Sequence, residues 1–116
     1  MISTDDAAGR ATLAPAAALF RSLADQTRLA ILLALQRGDA RVVDLTIALS
    51  LSQATVSQHL ECLRCCGLVE SQPVGRASRY SLVRGSLDAV LLAAESLLEE
   101  TGHAVSLCPT YGEAAP

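Results

Sequence analysis

The stretch SQATVSQHLECLRCCG, over residues 52–67, carries the signals of a helix with a defined start and end. The side-chain oxygen of Ser52 can accept a hydrogen bond from a free backbone amide in the first turn of a helix. Gly67 tolerates the left-handed backbone conformation that commonly follows the end of a helix. Together the two signals predict a helix that runs from Gln53 to about Cys66.

Three faces of this helix follow from a rotation of about 100° per residue. The face toward the core carries Val56, Leu60, Leu63 and Gly67. The opposite face carries Ala54, Ser57, Gln58, Glu61 and Cys65. The flank carries Thr55, His59, Cys62 and Cys66. Because residues four apart are neighbours on a helix, the sulfurs of Cys62 and Cys66 can reach one ion.

The elements on either side of this helix complete a DNA-binding motif. A short helix over residues 42–49 and a tight turn at residues 50–51 precede it, which is the pattern of a helix-turn-helix. Two short strands over residues 68–72 and 78–83 follow it, around a glycine-bearing turn at residues 73–77. The sequence therefore predicts a winged helix-turn-helix that is mainly α with a β-hairpin wing.

Three further helices are predicted around this motif. The first begins near Pro15, because proline suits the first turn of a helix. The second begins after the N-cap residue Asp25 and ends at Gly38. The last begins after Ser86 and ends near Glu100. Its apolar surface is wide, which suggests that it packs against a partner chain as well as its own core.

The chain of 116 residues has the length of one domain. Residues 1–12 are predicted to form a flexible N-terminal segment. Residues 13–100 are predicted to form the winged helix-turn-helix domain for DNA binding and dimerisation. Residues 101–116 are predicted to form a C-terminal tail that carries a candidate metal ligand.

Composition and charge narrow the class of protein. No apolar run approaches the ~20 residues that span a bilayer, and MISTDDAAGR at the start lacks a secretory pattern. We therefore expect a cytoplasmic protein without a membrane partner, whose thiols stay reduced. The net charge is −3, yet residues 41–84 hold five Arg and three acids. This middle segment provides a local cationic patch.

The pair Cys62 and Cys66 has three interpretations. Cysteine can be a small hydrophobe at the border of a core. Cys62 and Cys65 also have the spacing of a thiol-disulfide exchange motif, but activated thiolates lie at helix starts, and this pair lies at a helix end. The third interpretation is a soft metal ion, for which two thiolates are too few.

A third ligand must then come from elsewhere in the chain. Cys108 lies alone in the tail before a proline, with no evident packing role. His59 and His103 could add nitrogen ligands, although a single His beside a core is more often a hydrogen-bonded structural residue. Three thiolates without a required imidazole favour large soft ions such as Cd(II), Pb(II), Hg(II) or As(III) over Zn(II).

These motifs together resemble those of the ArsR/SmtB winged-helix repressors, over roughly residues 16–100. The segments that carry the resemblance are Leu23-Ala24-Asp25-Gln26-Thr27-Arg28, Gln53-Ala54-Thr55-Val56-Ser57-Gln58-His59-Leu60, Leu63, Gly67-Leu68-Val69, Gly75-Arg76 and Tyr80-Ser81-Leu82. The resemblance implies a homodimer through the first and last helices, with the second helix of the helix-turn-helix in the major groove. It also implies that metal binding weakens operator affinity.

Within this family the chain is most similar to the CmtR-type cadmium/lead sensors, because Cys-Leu-Arg-x-Cys-Gly corresponds to residues 62–67 and a tail cysteine follows. The ligands implied by this similarity are Cys62, Cys66 and Cys108. Cys65 is additional. The implied effector is Cd(II) or Pb(II), with As(III) or Hg(II) as alternatives. Residues 43–46 lack cysteines and Val90 stands where a zinc-type histidine would be, which counts against common zinc sensing.

The sequence therefore predicts a metal-responsive transcriptional repressor that binds double-stranded operator DNA when metal-free and is released by the ion. The predicted DNA contacts are Gln53, Thr55, Ser57 and Gln58 on the helix and Arg76 and Arg79 on the wing. A thiol-redox regulator of the same fold and a pure dimerisation module are alternatives. A small cysteine-dependent enzyme is disfavoured, because no nucleophile lies at a helix start beside a base.

Overall fold

The protein consists of helices around one small sheet, in a computed structural model that describes residues 7–83, 85–103 and 107. The described helices are α1 (Ala7–Ala11), α2 (Ala14–Leu23), α3 (Gln26–Arg37), α4 (Val42–Leu49), α5 (Gln53–Cys65) and α6 (Ser86–Glu100). The described strands are β1 (Ala40–Arg41), β2 (Val69–Val74) and β3 (Ala77–Leu82). This order confirms the predicted mainly α, winged helix-turn-helix fold, in which α4 and α5 form the helix-turn-helix.

The wing, which is the hairpin of β2 and β3, belongs to an antiparallel sheet with the strand order β1-β3-β2. Val69 lies opposite Leu82 at its base, and Gly75 adopts a φ of 64° in the turn at its tip. The strands extend into the segment 73–77 that the sequence predicts as turn. The sequence does not predict β1, because two residues are too few to show an alternating strand pattern.

The starts of α3 and α5 follow the predicted capping residues. The carboxylate of Asp25 accepts a hydrogen bond of 2.9 Å from the backbone amide of Arg28. The hydroxyl of Ser52 accepts one of 3.1 Å from the backbone amide of Thr55. Both side chains satisfy amides that have no partner within the helix, which confirms the two N-cap predictions.

Removal of the α3 cap should lower stability. We expect Asp25→Ala to reduce the free energy of unfolding by about 1 kcal/mol, because the Arg28 amide loses its acceptor. Urea denaturation followed by circular dichroism measures the change. Asp39→Ala is the matched control, because Asp39 is an exposed carboxylate outside the helices. Equal losses in the two variants would contradict the capping role.

Other element boundaries differ from the prediction. α5 ends at Cys65, and Cys66 follows it as the C-cap residue, with its amide 3.1 Å from the carbonyl oxygen of Cys62. Gly85, at a φ of 104°, is the N-cap residue of α6, and the predicted cap Ser86 is instead its first residue. The helix α1 lies within the segment 1–12, for which the sequence predicts no element.

The core forms around the predicted apolar stripe of α5. Val56, Leu60 and Leu63 are fully buried, whereas Gly67 at the end of the stripe is exposed. The stripe packs with buried residues of the other elements, which are Ile31, Leu32, Leu35, Leu45, Val69, Leu82, Leu87, Leu91 and Leu107. The core therefore fixes which side of α5 faces solvent. None of the helices in the described residues has the length and apolar character of a membrane span.

Candidate metal centre and nucleic-acid interface

The predicted DNA contacts of α5 lie near its start. Gln53, Ser57 and Gln58 are exposed within the first two turns. Thr55 is half-buried, and its side-chain oxygen accepts a hydrogen bond of 2.9 Å from the hydroxyl of Ser52. The structure therefore places three of the four residues on one open surface, and it gives Thr55 a contact that stabilises the helix start.

The predicted arginines of the wing are exposed. Arg76 lies in the turn between β2 and β3, and Arg79 lies on β3 directly opposite Arg41 of β1. Arg41 also forms an ion pair of 3.3 Å with Asp44. The hydrogen bond from the Arg41 side chain lowers the pKa of Asp44, so this carboxylate stays ionised. The sheet thus presents guanidinium groups from two neighbouring strands.

The thiols of Cys62 and Cys66 lie one turn apart at the C-terminal end of α5, and both are free. Cys62 is half-buried, and Cys66 is exposed because it follows the last helical residue. The Cys66 sulfur lies 3.0 Å from the hydroxyl oxygen of Ser22, which is a buried residue of α2. The end of α5 is therefore in direct contact with α2.

Cys65 lies on a different face of α5 from Cys62, as the rotation of about 100° per residue predicts. Its exposed sulfur is 3.7 Å from Oε1 of Glu61 and donates a hydrogen bond to it. Glu61 also accepts a hydrogen bond of 3.0 Å from Nε of Arg64. The hydrogen bonds from Arg64 lower the pKa of Glu61. Cys65 therefore belongs to a solvent-exposed polar cluster.

The two histidines lie in different surroundings, His59 beside α3 and His103 after α6. Nδ1 of His59 accepts a hydrogen bond of 3.2 Å from Nε of Arg28 on α3. His103 is exposed beyond the end of α6. Among the residues that the structure describes, no group of three or more His, Cys, Asp or Glu side chains could hold a metal ion. Within this described part of the chain, the predicted ligands Cys62 and Cys66 therefore belong to no such group.

Cys108, the predicted third ligand, lies outside the described residues. Its neighbour Leu107 is described, and it is buried against the core. The backbone amide of Leu107 donates a hydrogen bond of 2.7 Å to Oε1 of Glu95 on α6. The same leucine lines an apolar cavity of about 430 Å³ together with Leu23 of α2. The residue before Cys108 is therefore anchored between α2 and α6.

Sequence reasoning missed Ser22. The sequence contains a pattern that could have indicated its burial. Leu19, Ser22 and Leu23 are three and four residues apart and therefore share one face of α2. A serine among leucines on such a face indicates a buried hydroxyl that needs a hydrogen-bond partner. The identity of that partner is not encoded nearby, since Cys66 is 44 positions further along the chain.

Comparison with known proteins identifies the family to which this chain belongs. Residues 25–71 match the family model described as "Bacterial regulatory protein, arsR family". The chain is 45% identical over 75 residues to the HTH-type transcriptional regulator CmtR of Mycobacterium tuberculosis, which covers 65% of this chain and 64% of that regulator. The match thus spans slightly less than two thirds of the regulator. The NMR structure of the cadmium metal-sensor CMTR from that organism has a TM-score of 0.57 and 44% identity, over 66% of this chain and 80% of the other.

Two further proteins match over more of the chain. The probable mercury resistance operon repressor of Streptomyces lividans is 34% identical over 100 residues, which are 84% of this chain and 80% of the repressor. The homodimeric winged helix-turn-helix DNA-binding domain of Mb0332 from Mycobacterium bovis has a TM-score of 0.66 and 28% identity, over 84% of this chain and 90% of the other. These proteins are named as regulators or DNA-binding domains and not as enzymes, as the sequence predicts. With its capped α5, its wing and an alignment of this extent, the chain belongs to the ArsR family of bacterial regulatory proteins.

Proposed function

We propose that the protein is a metal-responsive transcriptional repressor that binds operator DNA as a homodimer and leaves it when a soft ion binds. One observation carries the proposal: α5 exposes polar side chains at its start, and the free thiols of Cys62 and Cys66 lie at its other end. A single rigid element thus joins a surface for DNA and a pair of soft ligands. The names of two relatives, a cadmium metal-sensor and a mercury resistance repressor, support the metal response.

The donor set favours Cd(II) or Pb(II) as the effector, with Hg(II) or As(III) as alternatives. Thiolates select soft ions, and such ions are held by three or four ligands. We infer that Cys108 supplies the third sulfur, which the anchoring of Leu107 between α2 and α6 supports. Zn(II) is less well matched, because the His59 ring already accepts a hydrogen bond from Arg28.

The recognition helix in this proposal is α5, and its exposed side enters the major groove. Ser57 and Gln58 then contact base edges or phosphates of the DNA. Gln53, near the start of the helix, contacts the DNA backbone. Arg76 and Arg79 on the wing contact phosphates or the minor groove. Although the net charge is −3, these groups lie in the segment where Arg outnumbers the acids.

The homodimer forms through α2 and α6, the first and last predicted helices. Phe20 on α2 is 63% exposed and Leu97 on α6 is 62% exposed, so each presents an apolar side chain to solvent in a single chain. Contact with a second copy would remove this apolar surface from water, which is favourable. The homodimeric state of the M. bovis domain supports this arrangement.

The ion acts on DNA binding through the end of the recognition helix. If an ion held by Cys62 and Cys66 were also held by Cys108, it would tie the end of α5 to the residue after Leu107, whose amide is hydrogen-bonded to Glu95 on α6. This tie restrains the orientation of α5 relative to the dimer helices and favours a state that does not fit the operator. Coupling of this kind is commonly ~1 to 3 kcal/mol, which suffices for a switch.

Titration of the reduced protein with Cd(II), Pb(II), As(III) and Zn(II) tests the proposal. Absorption from sulfur-to-metal charge transfer follows binding, and fluorescence anisotropy of a labelled duplex from the protein's own promoter region follows release. We expect Cd(II) or Pb(II) to give both signals at the lowest concentration. Release by an oxidant in the absence of metal, without release by any ion, would favour the thiol-redox alternative.

The wing and the recognition helix should contribute differently to DNA binding. We expect Arg76→Ala to weaken binding to operator and random duplex by similar factors and to reduce the salt slope by about 1, because it contacts phosphate. Gln58→Ala should reduce the preference for operator over random DNA by ~1–3 kcal/mol, because it contacts a base edge. Anisotropy titrations at several salt concentrations measure both effects.

The control for these two variants is Arg37→Ala. Arg37 is an exposed arginine in the last turn of α3, outside both the wing and the recognition helix. The Arg37→Ala variant should have the same DNA affinity and salt slope as the unchanged protein. If Arg76→Ala and Arg37→Ala have the same salt slope, the wing is not a phosphate contact.

A further inference from the structure

A buried hydroxyl contacts one of the two thiols in the proposed metal centre. Ser22 lies near the end of α2 and is 4% exposed. Among the described residues it is the buried polar side chain. Its Oγ lies 3.0 Å from Sγ of Cys66. This contact joins the end of the recognition helix to a helix of the proposed dimer interface.

The position of Ser22 would suit an apolar residue. The hydroxyl shares its face of α2 with Leu19 and Leu23, and both leucines line an apolar cavity. Burial of a hydroxyl without a hydrogen-bond partner is unfavourable. The sulfur of Cys66 supplies that partner. The contact is therefore specific, because replacement of either group leaves the other without its described partner.

We propose that Ser22 is a positioning residue of the metal centre, and this inference rests on the proposed function. In the metal-free protein either group can be the donor. Binding of an ion at Cys66 would require its S–H proton to pass to solvent, because the thiolate is the form of cysteine that holds a metal. The resulting thiolate can only accept, so the Ser22 hydroxyl donates to it. Hydrogen bonds to charged acceptors are roughly twice as strong as neutral ones.

The contact also offers a route from the ion to the dimer interface. Next to Ser22, Leu23 lines the cavity between α2 and α6 that Leu107 and Phe20 also line. A stronger bond between Ser22 and Cys66 in the metal-bound state would hold the end of α5 at a fixed distance from α2. Partners of metal ligands orient those ligands in the same way in many metal sites. Ser22 thus links ion capture to the helix on which the partner chain would pack.

The test compares Ser22→Ala with Ser22→Thr in the full-length reduced protein. Competition against a chromophoric chelator measures Cd(II) affinity, and we expect Ser22→Ala to bind Cd(II) about 10–100-fold more weakly. Ser22→Thr retains the hydroxyl and should recover most of the affinity. A purely structural role would change urea stability without changing Cd(II) affinity.

A double-mutant cycle makes the test independent of the threonine variant. If the hydroxyl acts through the Cys66 sulfur, Ser22→Ala should not weaken Cd(II) binding further in a Cys66→Ser background. Cys65→Ser is the control that removes a thiol from outside the pair. Wild-type Cd(II) affinity in Ser22→Ala, with weaker binding in Cys62→Ser and Cys66→Ser, would overturn the role of Ser22 and leave the proposed metal centre standing. Wild-type affinity in the two cysteine variants would instead overturn the proposed metal centre.

Discussion

Cys62→Ser should bind the operator as tightly as the unchanged protein and should no longer be released by Cd(II). The unchanged protein should lose operator affinity by ~5–150-fold when it binds the ion, and in the variant this ratio should fall to about one. The reason is chemical, because a hydroxyl is a poor ligand for a soft ion whereas a thiolate is a good one. Cys62 lies on the flank of α5, so its loss leaves the exposed polar side chains at the start of this helix unchanged.

The measurement is an anisotropy titration of operator DNA with and without saturating Cd(II), in the presence of a non-thiol reductant. Cys65→Ser is a matched control, because it also replaces one thiol of α5 by a hydroxyl. Its sulfur contacts Glu61 on the exposed face, so this variant should retain the full metal response. Continued release of Cys62→Ser by Cd(II) would show that the ion binds elsewhere in the protein.

Leu60→Ala should destabilise the whole domain. Leu60 is fully buried where α5 meets the core, and its truncation creates a cavity that the surrounding side chains fill only in part. We expect a loss of about 2–5 kcal/mol in the free energy of unfolding. Domains of this size are stable by only about 5–15 kcal/mol, so the variant loses a large fraction of its stability. Urea denaturation of the metal-free protein measures the loss.

Ile47→Ala is the matched control for this variant. Ile47 lies on α4 of the same helix-turn-helix and is 75% exposed, so its truncation leaves no buried cavity. It should change the free energy of unfolding by about 0.5 kcal/mol or less, as exposed substitutions usually do. Similar losses in Leu60→Ala and Ile47→Ala would contradict the core position of the α5 stripe.

The cap of α3 at Asp25 and the stripe of α5 were predictable because they depend on neighbours within one or two helical turns. A side chain that caps a helix contacts an amide three residues away, and a buried stripe repeats at every third or fourth residue. The limits of this reasoning appear at the ends of elements. Ser86 has the chemistry of a cap, yet Gly85 precedes α6, because a glycine can adopt the positive φ at which the chain turns into the helix.

The partners of the candidate site were less accessible to sequence reasoning. The pair Cys62 and Cys66 followed from helical spacing, but the contact of Cys66 with Ser22 did not. His59 had two interpretations from the sequence, and the hydrogen bond that its ring accepts comes from Arg28 on another helix. Leu107 gave no signal in the tail, because a single leucine has no periodicity from which its burial could be inferred.

The helix-turn-helix, the wing and the three faces of α5 follow from the sequence, because these features depend on short-range backbone and side-chain chemistry. The packing of the helices established which thiol touches α2, which histidine accepts a hydrogen bond from an arginine and where Leu107 is anchored. These contacts join residues 44, 31 and 12 positions apart in the chain. Their existence depends on how the helices pack around a shared core, and local propensity carries no information about that packing.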